Sequence, residues 1–258
     1  MRILLEENRV QGFFSCFNLV LCAITILHNS GYEDIYVNWT NPLYQSNPYN
    51  MFDKYLWNQK LDNQKFDRVY SCYDVMYNHK LKKFFDAKKQ KNLTIYDILY
   101  NNNFFQNQIF KDCKSKAVKT ENCLGVHVRK TDTVYHRLKN EMLNNQYYFS
   151  KIEENLNSYS SLFLCTDDAN VLNDFKKRYG NRLIYNNNIF RVTGNIAIHN
   201  SNYNNKEKLV EDVIIDTMSL SECAKILITQ SNLSNFILEL KRGISHQYLD
   251  LNVEYGLI

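Results

Sequence analysis

Apolar residues fall along the chain in two patterns, short runs of strand length and longer stretches of helical length. The chain opens on the apolar run Arg2 to Leu5, and the residues from Phe13 to Leu27 are then apolar except for Ser15, Asn18 and Thr25. Beyond a stop at Gly31, Ile35-Tyr36-Val37 resumes a strand pattern. Together these predict a strand, a buried helix from Phe13 to His28 and a second strand, an order that points to a parallel sheet. After Pro42 and Pro48 come aromatic and lysine-rich segments that predict helices with irregular connections, and residues 101 to 120 carry no clear period. We place a domain boundary there, giving domains 1–118 and 119–258.

From Cys123 the alternation becomes regular. Strands are predicted over Leu124–Val128, Leu162–Cys165, Arg182–Tyr185 and Ile226–Thr229, with a last one near Tyr248–Leu251. Helices are predicted over Asn145–Leu156, Ala169–Tyr179, Lys208–Cys223 and Leu233–Lys241. Strands separated by helices of this length indicate a doubly wound α/β domain, in which ligands sit at the carboxyl ends of the strands.

Composition narrows the function. At 45% apolar and 22% charged residues, the chain has the make-up of a globular protein with a substantial core. Its 31 basic and 27 acidic residues leave a net charge of +4, too little for a protein that coats nucleic acid, and no nucleic-acid partner is expected. Only 7 glycines are present, with neither G-x-G-x-x-G nor G-x-x-x-x-G-K-[ST], so any nucleotide must be gripped by side chains and helix ends. The cysteines Cys16, Cys22, Cys72, Cys113, Cys123, Cys165 and Cys223 are odd in number and form no C-x-x-C pair. Several lie in apolar runs, which predicts reduced, buried thiols in a cytoplasmic protein, and no Cys/His cluster has zinc spacing.

The apolar stretch Phe13 to Leu27 is shorter than the roughly 20 residues of a membrane span, and Glu6 and Glu7 precede it where a signal peptide would be basic. The run His79-Lys80-Leu81-Lys82-Lys83, followed by Lys88, Lys89 and Lys91, is either a solvated helix face or a peripheral contact with an acidic membrane surface.

The candidate chemistry follows the strands. Leu124 to Val128 runs into Arg129-Lys130-Thr131-Asp132, and alternation puts His127 and Arg129 on one face at the ligand-binding edge. Arg129 offers a planar fork suited to phosphate, Lys130 is a second cation, and Asp132 could orient either or act as a base; a surface ion-pair cluster with a satisfied histidine has the same residues. Leu162 to Thr166 ends in Asp167-Asp168, either of which could cap the next helix. Gln230-Ser231-Asn232-Leu233-Ser234 enters a helix, whose start can hold an anion without glycine or simply be capped by Ser or Asn. Asp216 falls among apolar neighbours, so its carboxylate needs a buried partner or a donor-rich ligand such as a guanine edge.

Taken in order, Gly125-Val126-His127-Val128-Arg129-Lys130-Thr131-Asp132, Thr166-Asp167-Asp168, Asp216 to Ser221 and Gln230 to Ser234 resemble the donor half of the fucosyltransferase superfamily. This superfamily includes the α-1,6 and nodulation-type enzymes, the α-1,2 enzymes and the protein O-fucosyltransferases, and the resemblance covers about residues 123–240. It implies a GT-B fold of two Rossmann-like domains facing across a cleft, the amino-terminal one on the acceptor side. The carboxyl-terminal domain would bind GDP-β-L-fucose and transfer its fucose with inversion to a glycan or glycolipid, releasing GDP, without metal or other cofactor. The absence of a D-x-D motif agrees. By the same resemblance Arg129 contacts the diphosphate and stabilises departing GDP, while His127 and Asp216 address the guanine. Ser231 or Asn232 adds a phosphate contact, Asp167 or Asp168 shapes the nucleotide pocket, and Lys130 stands where the family usually has arginine. The glutamate that serves the α-1,6 group as base, ten residues after the motif histidine, is Arg137 here, which leaves Asp132 and Glu141 as alternative bases.

Overall fold

A computed structural model describes residues 1–45, 49–56, 61, 64–101, 107–130, 145–194 and 196–249. The chain divides into two compact units, Met1–Asp112 and Cys113–Ile258. The division lies within a helix, Gln108–Lys116 (α6 below), which buries only Phe110 and Cys113 along its length, so its period is hard to see among polar neighbours.

The first unit holds three parallel strands, β1 (Ile3–Glu7), β2 (Ile35–Trp39) and β3 (Arg68–Ser71), in the order β2-β1-β3. Between β1 and β2 runs α1 (Phe13–Asn29), buried at ten positions from Phe13 to Leu27. It ends where Gly31 takes φ of 86°, a conformation that would strain any other residue. Its aromatic side stacks on the sheet through Phe17 and Trp39, whose rings lie 6.2 Å apart and nearly parallel. Then come α2 (Met51–Tyr55), α3 (Cys72–Tyr77), α4 (His79–Ala87), α5 (Ile95–Asn101) and α6.

Strand β3 corrects the expectation that this region is helical with irregular connections. It has four residues, two of them exposed, and shows no apolar alternation because it is an edge strand. It is held by backbone pairing to β1, which no local pattern records.

The second unit is a five-stranded parallel sheet in the order β6-β5-β4-β7-β8. Its strands are β4 (Cys123–Val128), β5 (Ser161–Thr166), β6 (Leu183–Ile184), β7 (Lys225–Ile228) and β8 (Ser245–Tyr248). They alternate with α7 (Asn145–Leu156), α8 (Ala169–Tyr179), α9 (Lys206–Ser221) and α10 (Asn232–Leu240). The last strand lies three residues earlier than expected, at Ser245 rather than Tyr248, and most of the apolar tail that suggested the later position lies outside the described residues.

The two faces of the central strand β4 meet different layers. Leu124, Val126 and Val128 join a core with Tyr148, Ile152 and Leu156 of α7 and Val171 and Phe175 of α8. Burying each such large apolar side chain contributes roughly 1.5–3 kcal/mol. On the other face, a Cβ on Gly125 would stand 2.7 Å from Cys223 Sγ and from Leu220 Cδ1, so only glycine lets the end of α9 lie this close to the strand. His127 shares that face, with Cys165 of β5 and Ile228 of β7 as its register partners.

Candidate donor-binding site

The strand order reverses direction between β4 and β7: successive connections run outward through β5 and β6 and then return to the far side of β4. At such a point the loops leaving the carboxyl ends diverge and open a crevice for a ligand. Those carboxyl ends carry Arg129 and Lys130 after β4, and Thr229, Gln230 and Ser231 after β7.

A chain of hydrogen bonds fastens the two ends together. The Arg129 backbone N–H donates to Thr229 Oγ1 at 3.3 Å, and that hydroxyl donates to the His127 carbonyl at 3.2 Å. Ser234 Oγ donates to the Thr229 carbonyl at 2.7 Å, and His127 Nδ1 lies 2.8 Å from the same Ser234 oxygen. Proton counting assigns the histidine tautomer. Ser234 has one hydroxyl proton, and the carbonyl can only accept, so Nδ1 carries the proton and donates, leaving Nε2 with a free lone pair. The ring is 4% exposed. Burial, reinforced by the Arg129 charge, lowers its pKa from 6.5 to about 3, so it is neutral.

Ser231 caps α10: its Oγ accepts the Ser234 N–H at 3.1 Å. Asn232 is the first residue of the helix and exposed. Arg129 and Lys130 are half-buried. The Lys130 N–H donates to Asp167 Oδ1 at 3.3 Å, which ties the end of β5 to the loop leaving β4. Asp168 caps α8, one oxygen accepting from the Asn170 and Val171 N–H groups at 2.6 and 3.2 Å, a contact worth ~1 kcal/mol.

Asp216, on α9, lies beneath the end of β5 and is 4% exposed. It accepts a 2.5 Å hydrogen bond from Asn186 Nδ2, and Arg191 Nη2 stands 4.0 Å from its other oxygen. Burial raises the carboxyl from 3.8 to about 6 against the opposing pull of Arg191 and Asn186. Asp212, one turn earlier and also buried, pairs with Lys208 and accepts the Phe190 N–H.

Arg191 is a buried residue that the motif pattern does not contain. Its side chain is 5% exposed and donates to the carbonyls of Thr166, Asn186 and Ile189, each at 3.1 Å, while Nη2 has no hydrogen-bond partner among the described residues. The one available signal is that it is the sole Lys or Arg between Arg182 and Lys206.

The structure therefore brings His127, Arg129 and Ser231 together around Thr229 and Ser234, and links Lys130 to Asp167. Asp216 is held separately against Asn186 and Arg191 on the same face of the sheet, next to Cys165. Asp132 and Glu141 lie outside the described residues. Among the described residues no group of three or more His, Cys, Asp or Glu could hold a metal ion, and no helix is long and apolar enough to cross a membrane.

The two parallel sheets with their flanking helices form an α/β fold of the GT-B kind, and solved structures share this fold over nearly the whole chain. The fucosyltransferase NodZ from Bradyrhizobium superposes with a TM-score of 0.52 at 14% identity, over 98% of this chain and 96% of that one. NodZ α-1,6-fucosyltransferase soaked with GDP-fucose gives 0.51 at 13% identity, over 93% of each chain. POFUT1 in complex with GDP-fucose gives 0.53 at 8% identity, over 96% and 97%. No curated protein sequence matches. The family model for alpha-(1,6)-fucosyltransferase N- and catalytic domains matches residues 93–235, more than half of the chain, and the chain belongs to this fucosyltransferase family.

Proposed function

We propose that the protein is an inverting, metal-independent fucosyltransferase that moves L-fucose from GDP-β-L-fucose to a hydroxyl of a glycan or glycolipid acceptor, giving an α-fucoside. The observation that carries this is Arg129 at the carboxyl end of β4, beside the switch point of the sheet, with its backbone fastened to Thr229. In the reaction the bond from fucose C1 to the β-phosphate oxygen breaks as the acceptor oxygen bonds to C1 from the opposite side. The acceptor proton passes to a base, Asp132 or Glu141, and negative charge collects on the departing diphosphate. A fixed guanidinium meets that charge where other transferases use a metal; a group in this role lowers the barrier by ~3 kcal/mol.

The remaining roles follow from chemistry. Neutral His127 presents Nε2 as an acceptor and Asp216 is a second acceptor, a pair suited to the N–H groups of a guanine edge. The start of α10 at Ser231 or Asn232 offers N–H groups to a phosphate, and Asp167 or Asp168 shapes the pocket wall. Residues 119–258 would bind the donor and residues 1–118 the acceptor. Six of the seven cysteines are buried, which supports a cytoplasmic location.

Arg137, standing where the α-1,6 group has its glutamate, favours a second reading. In it the chain binds GDP-fucose or another GDP-sugar without turning it over. Incubation with GDP-fucose and EDTA, with GDP release followed with and without candidate acceptors, separates the two. Acceptor-dependent release in EDTA supports the transferase; tight GDP binding with no release from any acceptor supports the second reading.

A further inference from the structure

We propose that α3 and α4 form a docking face for an anionic lipid bilayer. Eight large apolar side chains are exposed among the described residues, and three of them, Tyr73 (51%), Tyr77 (61%) and Phe84 (43%), lie on these two short helices. Scattered singly such residues are ordinary, but a cluster of them marks an interaction surface.

The charge is concentrated in the same place. From Arg68 to Lys91 the chain carries seven basic and two acidic residues, a net +5, whereas the whole protein carries +4. The remainder of the chain is therefore at −1, and the positive charge of the protein belongs to this segment.

The elements are contiguous through Phe85, the one buried residue of α4. Its ring meets Tyr70 of β3 at 5.6 Å and Tyr32 at 6.2 Å, edge to face. Helical spacing then sets Lys80, Lys83 and Ala87 on the opposite, outward side, with Phe84 at one margin of that stripe, its ring 5.3 Å from Phe85, and Asp86 at the other. Lys88 lies over the Phe84 ring at 4.5 Å, and Tyr73 and Tyr77 pair at 4.8 Å on α3. Lys91 is paired with Glu33, but Lys80, Lys82 and Lys83 form no ion pair among the described residues.

Lysines placed around exposed aromatic rings match the headgroup region of a membrane, where the cations meet lipid phosphates and the rings lie at the boundary of the acyl layer. A solvated helix face needs only the lysines. This inference does not depend on the sugar donor or the reaction.

The test uses the full chain with vesicles of phosphatidylcholine alone or with roughly one-third phosphatidylglycerol, in about 0.1 M and about 0.5 M salt. Cosedimentation is expected with the anionic vesicles only, and should be lost at the higher salt. Lys80→Glu with Lys83→Glu should weaken it about tenfold or more. Tyr77→Ser with Phe84→Ser should weaken it while preserving its salt dependence. These positions are exposed, and unchanged thermal melting of each variant checks that the fold is kept. Equal binding to both vesicles, binding to neither, binding by the charge-reversed variant equal to wild type, or retention on DNA but not on anionic vesicles would each overturn the proposal.

Discussion

Two buried groups of the second unit titrate in opposite senses, and over a defined pH interval their effects on stability cancel. His127 is held at about 3 in the fold against 6.5 when exposed. Between those values the unfolded chain binds the extra proton, so the fold loses about 1.4 kcal/mol for each unit that the pH falls. Asp216 is raised from 3.8 to about 6. Between those values the folded chain holds the extra proton, so stability falls at the same rate as pH rises. From pH 6 down to about pH 4 the two slopes cancel. Asp216→Asn removes one of them, and over those two units the variant should lose about 3 kcal/mol more than the wild type. His127→Asn, whose amide can still donate to Ser234, should shift by about the same amount in the opposite direction. Taking each variant as a difference from wild type removes the exposed carboxylates common to all. Urea unfolding at several pH values between 4 and 7 provides the measurement. It should be followed by far-ultraviolet ellipticity, because both tryptophans, Trp39 and Trp57, precede residue 113. Parallel stability curves for the three proteins between pH 4 and 6 would refute this account of both sites.

Three further outcomes are expected. Gly125→Ala forces a methyl into contacts of 2.7 Å with Leu220 and Cys223, which should cost about 1–3 kcal/mol. Calorimetry should show a lower Tm, with GDP-fucose affinity reduced as α9 is displaced; an unchanged Tm would mean that α9 yields freely. Arg129→Ala should lower the rate of fucose transfer at least about a hundredfold with the fold intact, and near-normal turnover would sink the role given to this residue. Arg191→Met leaves Asp216 buried without its cation and frees three carbonyls. It should destabilise the protein by about 3–5 kcal/mol, with part of the loss recovered when Asp216→Asn is added. Strictly additive effects on chemical denaturation would show that the two side chains do not interact.

The legibility of the second unit rests on how its strands are buried. β4 and β5 are covered on both faces, so β4 is apolar but for His127 and β5 is apolar from Leu162 to Cys165, and α7 and α8 begin and end where their local period does. The motif from Gly125 to Lys130 could be read as a ligand-binding edge because the end of a parallel strand carries that meaning in any doubly wound sheet. A cap at Asp167 or Asp168 is equally visible, since a cap is a contact between residues two and three apart, and the fold gives it to Asp168.

Other features depend on partners that are distant in sequence. β3 is a strand because β1 lies beside it, 65 residues earlier, and its own four residues show no alternation. Gly125 is required by α9, not by any turn. The sequence places His127 on the correct face of β4. Its tautomer comes from Ser234, 107 residues away, and its neutrality from burial reinforced by the Arg129 charge. Asp216 could be recognised as a carboxylate in need of a partner, and the fold supplies Asn186 and Arg191 from a polar segment with no period of its own. Periodicity and capping are set by neighbours within a few residues, so the amino-acid order contains them; protonation states, close approaches and buried pairing arise only when the folded chain removes water between groups that it has brought together.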